Sequence, residues 1–180
     1  MKLILSTGLM ALLLCVQNAQ AQKEINQSPI PPFLLGDIEQ SDLTMGTYNQ
    51  WFEGQYTNYT PKAEILRELK TSTEDKEFIL FLGTWCGDSK REVPRMLRIF
   101  KEAGVAESRI RIIALDRRPG KYKTSPEGLE KKYHIKRIPT LIILSQGQEI
   151  NRIVERPWRS LEEDLLAITQ DQSYLPRYSR

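Results

Sequence analysis

Five consecutive apolar residues, Phe78-Ile-Leu-Phe-Leu82, run into Gly83-Thr84 and then Trp85-Cys86. The run is too short for a globular helix and rich in strand formers, so it predicts a buried strand that Gly83 and Thr84 break. Past the cysteine, Val93, Met96, Leu97 and Phe100 recur at roughly helical spacing, which predicts a helix from about Ser89 to Ala103, closed by Gly104. A cysteine at such a junction meets free backbone N–H groups and the positive end of the helix dipole, and both favour an anion. The thiolate is the reactive form of cysteine. The stretch therefore points to thiol chemistry at Cys86, with a buried inert cysteine as the competing reading.

The chain has 180 residues, a formal net charge of +3 and two cysteines. Residues 1–21 read as an export signal: Lys2, an apolar stretch from Leu9 to Val16, and Ala19-Gln20-Ala21 as a cleavage site. The apolar stretch is short for a span of about 20 residues. Cys15 lies inside it behind Leu14, where a lipoprotein would want a small residue. The expectation is an exported protein, periplasmic or secreted, without a lipid anchor or stable membrane insertion. Cleavage would leave one ordinary domain with Cys86 as its lone cysteine, a pattern that suggests a free reactive thiol or intermolecular pairing. The mild charge suggests neither nucleic acid nor membrane partners.

Four segments follow: the signal at 1–21, an N-terminal extension at 22–59, a domain at 60–172 and a tail at 173–180. Pro29, Pro31 and Pro32 argue for an extended lead-in. Tyr48, Trp51, Phe52, Tyr56 and Tyr59 suggest an aromatic helix packed on the core, or a stacking surface for a ligand. Thr60-Pro61 reads as a helix start. Arg109–Leu115 and Thr140–Leu144 read as further strands, Pro126–His134 as a short helix, and Glu149–Val154 as the return of a hairpin. Ser160 opens a capping box and an amphipathic helix through Ile168. This alternation predicts a parallel core sheet with helices on its faces. Residues before 60 are candidates for an edge strand, and the Tyr174–Arg180 tail is expected to fray or lie on the surface.

The motif Trp85-Cys86-Gly87-Asp88-Ser89-Lys90, Pro94 eight residues after the cysteine, and the later Ile138-Pro139-Thr140 together resemble the thioredoxin superfamily. Arg91-Glu92-Val93-Pro94 is similar to its extracytoplasmic TlpA/ResA-type branch. The resemblance covers about residues 60 to 170. It implies an α/β thioredoxin-like fold, a central mixed β-sheet flanked by helices, here with an N-terminal extension. It also implies that Pro139 is cis and faces the cysteine, and that Glu92 tunes the thiol or moves protons. A surface Arg91–Glu92 pair is the plainer reading of that glutamate. Two departures stand out: Ser89 occupies the place of the second cysteine, and Leu80 that of the buried aspartate of thioredoxins proper.

A thiolate at Cys86 can attack a disulfide and form a mixed disulfide. Ser89 cannot resolve it, though its hydroxyl can support the thiolate by a hydrogen bond. An external thiol or a further cysteine of the substrate must then act, which is monothiol exchange, reduction or isomerisation of protein disulfides. Asp88 in the first helical turn is favoured by the dipole but opposes a thiolate. Trp85 offers an apolar platform, and with Gly87, Asp88, Ile138 and Pro139 it makes up the expected substrate site. There the Ile138 backbone can pair with an extended peptide. The rival reading is a redox-inactive binding module for exported clients. No cofactor is called for, and one cysteine with one histidine beyond the leader makes no metal site. The peroxiredoxin pattern is absent, since Ile79 and Gly83 stand where it needs proline and threonine. Arg117, Arg118, Lys121 and Lys123 mark a basic loop over 117–127, either a solvated insertion or a dock for an anion. His134, the sole histidine, reads as the end of a short helix more readily than as a base.

Overall fold

A computed structural model describes residues 23–178. The expected leader at 1–21, with Cys15, lies outside the described residues. The proline-rich lead-in forms a hairpin rather than a simple extended arm. β1 (Glu24–Gln27) pairs antiparallel with β2 (Ile30–Leu34) as a separate two-stranded sheet. Pro31 and Pro32, both exposed, are tolerated there because they fall at the break in register between the Ile25–Phe33 and Gln27–Ile30 pairs, where the ladder is irregular. β3 (Gly36–Ile38) then enters the main sheet, followed by α1 (Gln40–Leu43) and α2 (Gly46–Thr57).

The next helix, α3 (Ala63–Ser72), is capped at Lys62 and not at Thr60. The cause is tertiary. The Tyr59 hydroxyl donates to Glu162 at 2.5 Å, the Lys62 N–H donates to the same carboxylate at 3.4 Å, and Pro61 is buried between them. That anchor holds 59–62 extended and delays the helix. β4 (Lys76–Leu82), α4 (Gly87–Ala103), a 3₁₀ turn at Glu107–Arg109 and β5 (Ile110–Ala114) follow. α5 is only Leu129–Lys132, shorter than the 126–134 expected. Gly128 at φ 67° and His134 at φ 54° turn left-handed on either side of it and stop the helix from extending. β6 (Thr140–Ser145), β7 (Gln148–Val154) and α6 (Leu161–Thr169) complete the chain order.

The main sheet has the order β3-β5-β4-β6-β7. It is mixed: β4 and β5 run parallel, Leu80 opposite Ile112, and the other pairs are antiparallel. The wholly parallel core suggested by alternation therefore fails at β6. After β5 the chain stays at the end of the sheet where β4 also finishes, because the four-residue α5 is too short to cross back. β6 starts there, with Thr140 opposite Phe81, and this delivers Pro139 to the Cys86 end of β4. The edge strand does come from residues before 60, as β3.

Alternation along β4 divides the core. Phe78, Leu80 and Leu82 enter the larger cluster with α2, α3, α4 and α6. Ile79 and Phe81 enter a smaller one with Ile113, Leu115, Ile138 and Ile142. Phe78 meets Phe100 of α4 with ring centroids 4.5 Å apart, and each such buried ring contributes about 1.5–3 kcal/mol. In α2, Tyr48 and Phe52 are buried and the helix packs on α4, so the aromatic run forms packing and not an open stacking surface. The tail is fastened on the surface: Asn151 donates to the Tyr174 carbonyl at 3.0 Å, and the Tyr174 hydroxyl donates to Asp164 at 3.2 Å. Among the described residues no helix is long and apolar enough to cross a membrane.

Candidate functional site

Cys86 is the N-cap of α4. Its backbone is extended (φ −86°, ψ 127°), and its carbonyl accepts the Lys90 N–H at 2.9 Å. The side chain is half-buried, and its thiol donates to the Ile138 carbonyl at 3.5 Å. The Ile138–Pro139 bond is cis. Pro139 is held in turn by Glu155, whose N–H donates to the Pro139 carbonyl at 2.7 Å. The end of β4, the head of α4 and the entry to β6 thus converge on one sulfur atom.

Trp85 flanks the thiol. Its indole N–H donates to the Leu115 carbonyl at 3.1 Å, and its ring lies against Tyr122, centroids 4.9 Å apart. The indole passes so close to the chain that a Cβ on Gly83 would come within 2.8 Å of Trp85 and 2.9 Å of Ile138. Glycine is required at 83 for that approach. Tyr122 is exposed and belongs to the basic loop. Asp116 ties the loop down: it accepts from the Arg118 N–H at 2.7 Å and from the Arg118 guanidinium at 2.6 Å. Burial pushes the Asp116 carboxyl up, but the bonds from Arg118 outweigh it and hold the pKa below the ordinary value.

Ser89 is fully buried, and its hydroxyl accepts the Gly83 N–H at 3.3 Å. Its oxygen therefore secures the strand-to-helix turn, and its proton is left for another acceptor. Asp88 accepts from Arg91 at 2.7 Å and lies 3.8 Å from Arg156, so its charge opposite the thiol is offset. Gly87 is exposed, and nothing stands within 4 Å of where its Cβ would be. Glu92 lies about 240° around the helix axis from Cys86. It is buried in an arginine clamp, with Arg91 Nε at 2.5 Å and Arg95 Nη1 at 4.0 Å. The hydrogen bond that Arg91 donates to Glu92, opposed by burial and joined by the bond to Asp88, raises the Arg91 pKa. His134 is exposed at the far end of α5.

Trp85, Cys86 and Asp88 are partly exposed at the head of α4, the buried Ile138–Pro139 pair lies against the thiol, and Ser89 and Glu92 are buried, Glu92 toward Tyr59. Sequence reasoning passed over Tyr122 and Arg156. The available signal for Tyr122 was its position as the one aromatic residue in a basic loop. Among the described residues no group of three or more His, Cys, Asp or Glu is placed to hold a metal.

Residues 38–167 match the family model described as thioredoxin. Among solved structures, a protein of unknown function from Pseudomonas aeruginosa is 14% identical with a TM-score of 0.52, over 76% of this chain and 93% of that one. The likeness there is one of fold. Mitochondrial thioredoxin 3 of Saccharomyces cerevisiae, in its oxidised form, is 26% identical over 56% of this chain and 86% of its own, with a TM-score of 0.32. A mutant thioredoxin from Halobacterium salinarum is 17% identical over 64% and 88%, with a TM-score of 0.36. The curated proteins include no match.

Proposed function

The chain belongs to the thioredoxin family, and from that premise we propose that it performs thiol–disulfide exchange on protein substrates through the single thiol of Cys86. Family membership supports oxidoreductase-like chemistry in general. The finer reading is carried by one observation: a half-exposed cysteine caps α4 against the Ile138 carbonyl, and a buried serine fills the place of a partner cysteine.

In this scheme the Cys86 thiolate attacks one sulfur of a substrate disulfide. The S–S bond breaks, the other substrate sulfur leaves with the electron pair and takes a proton from solvent, and Cys86 is joined to the client. An external thiolate then attacks the client sulfur of the mixed disulfide: a disulfide forms between the external thiol and the client, the Cys86–client bond breaks, and Cys86 leaves as the thiolate. The helix N-terminus stabilises the anion, and the Asp88 charge is offset by Arg91 and Arg156. Ile138 offers its backbone to an extended substrate chain, and Trp85 lends an apolar wall. The TlpA/ResA-type assignment and work outside the cytoplasm, after cleavage behind Ala21, belong to the same proposal.

The direct test is mixed-disulfide formation with a disulfide-bearing protein, followed by mass spectrometry with and without added glutathione. Adduct at Cys86 that glutathione releases is the expected result. A second reading is favoured by the Cys86–Ile138 bond itself, since a carbonyl acceptor stabilises the neutral thiol: the fold would then bind clients without exchange. No adduct, with client binding unchanged in Cys86→Ala, would establish that binding module instead.

A further inference from the structure

We infer that the surface around Cys86 selects disulfides carried on acidic peptide segments, an inference that rests on the exchange proposed above. Three carboxylates stand near the thiol or on the segments that frame it, and in each ion pair the acid is the deeper member. Asp116 is 2% exposed and Arg118 25%; Glu155 is 14% and Arg137 49%; Asp88 is 30% and Arg156 53%. In each pair the guanidinium is the more exposed partner, so an incoming chain meets the cation first.

Arg137 and Arg156 stand on segments that adjoin the sulfur, whereas Arg118 is turned to the Phe33 ring, 6.0 Å from its centre. Arg137 directly precedes Ile138, whose carbonyl takes the Cys86 thiol. Arg156 follows Glu155, whose N–H donates to the Pro139 carbonyl, and it leans on Asp88 in the first turn of α4. Lys123 donates to the Lys136 carbonyl at 3.2 Å, which fastens the basic loop beside the segment leading to Pro139. Its ammonium also lies 5.5 Å from the centre of the Tyr122 ring, beside the Trp85–Tyr122 shelf.

Exposed cations act over about one Debye length, roughly 8 Å at physiological ionic strength, enough to reach residues flanking a bound disulfide. A field of one sign at a cleft raises the local concentration of the opposite sign and speeds encounter. The bond changes are those of ordinary exchange: the Cys86–sulfur bond forms, the substrate S–S bond breaks, and the leaving thiolate is protonated by solvent. The selected feature is the charge beside the disulfide.

The test uses two synthetic peptides, each with one cysteine capped as a neutral pyridyl disulfide and flanked by either glutamates or lysines. The rate of pyridyl thiol release is measured with the purified protein at low and high salt. The glutamate peptide is expected to react faster by about tenfold at low salt, with the gap closing as salt rises. Lys123→Gln with Arg156→Gln is expected to shrink the gap several-fold. Equal rates for the two peptides, or a preference that survives both salt and the double substitution, would overturn the inference. The salt series on the unaltered protein decides the matter even where the double variant folds poorly. A neutral dipyridyl disulfide separates the two levels of the argument. If Cys86 fails to react with it, exchange and selectivity fall together; if it reacts and no charge preference follows, selectivity alone falls.

Discussion

The thiol of Cys86 donates to the carbonyl of Ile138 at 3.5 Å, which ties the cap of α4 to the residue before Pro139. Sulfur is a weak donor and the side chain is half-exposed, so the bond holds little of the fold. Cys86→Ala is expected to change the unfolding free energy by less than about 0.5 kcal/mol while abolishing covalent adducts. Urea denaturation and intact-mass analysis check the two halves separately. A much larger loss of stability would mark Cys86 as a packing residue.

Gly83→Ala should behave in the opposite way. The added methyl would sit 2.8–3.0 Å from the Trp85 ring and the Ile138 side chain, both inside the ordinary contact distance. Relieving that overlap moves the two residues that flank the thiol. Destabilisation of about 1–3 kcal/mol is expected, with slower exchange at Cys86. Unaltered stability and rate would mean that the indole can swing clear at no cost.

Asp164 is fully buried and accepts from the Trp158 N–H at 2.6 Å, the Arg159 N–H at 3.4 Å and the Tyr174 hydroxyl at 3.2 Å. It joins the turn before α6 to the tail. Asp164→Asn should cost about 1.5–3 kcal/mol and loosen the segment around Arg177, which trypsin would then cut sooner. Equal digestion rates would show that the bonds from the Trp158 indole to the Leu175 carbonyl at 2.9 Å and from Arg177 to the Pro157 carbonyl at 3.0 Å hold the tail without it.

Asp116 supplies a pH dependence. Its carboxyl has a lower pKa in the folded chain than the ordinary value of 3.8, because the bonds from Arg118 outweigh its burial. Its stabilising contribution is therefore complete above that ordinary value and is lost as pH falls through the folded value. Asp116→Asn should cost about 1–3 kcal/mol at neutral pH, and the difference from the unaltered protein should narrow below about pH 4. A constant difference from pH 7 to pH 3 would assign the effect to packing.

Much of this arrangement was legible because it is local. The apolar run at 78–82 carries its own strand signal, and Gly104 ends α4 in the left-handed conformation that glycine favours. What escaped depends on distant partners. The start of α3 was misplaced because Glu162, about a hundred residues on, captures Tyr59 and Lys62. The direction of β6 followed from the short α5, which two left-handed turns curtail. Ser160 caps α6 by accepting the Glu163 N–H at 3.3 Å, but the Glu163 carboxylate reaches Lys62 at 3.1 Å instead of closing the box. Tyr122 meets Trp85 in a loop closed by the Asp116–Arg118 bonds and by backbone bonds from Asp116 and Lys123 to Thr124 and Asp116.

Ser89→Cys restores a cysteine three residues past Cys86, at the spacing of the two-cysteine relatives. On the proposed chemistry, the new thiol should attack a mixed disulfide at Cys86 and free the client without glutathione. Quenched time courses and mass spectrometry would show an internal disulfide replacing the adduct. Persistence of the adduct would mean that the buried position, tied to Gly83, keeps the second sulfur out of line.

The bond from the Gly83 N–H to the Ser89 oxygen has a temporal meaning as well. In a two-cysteine protein the chain itself times how long a captured client stays attached. Here the second cysteine's position carries a serine, which forms no disulfide and instead holds the turn. On the proposed chemistry the dwell time passes to the surroundings: long where small thiols are scarce, short where they abound. The fraction of molecules carrying a client would then register the reducing strength of the compartment.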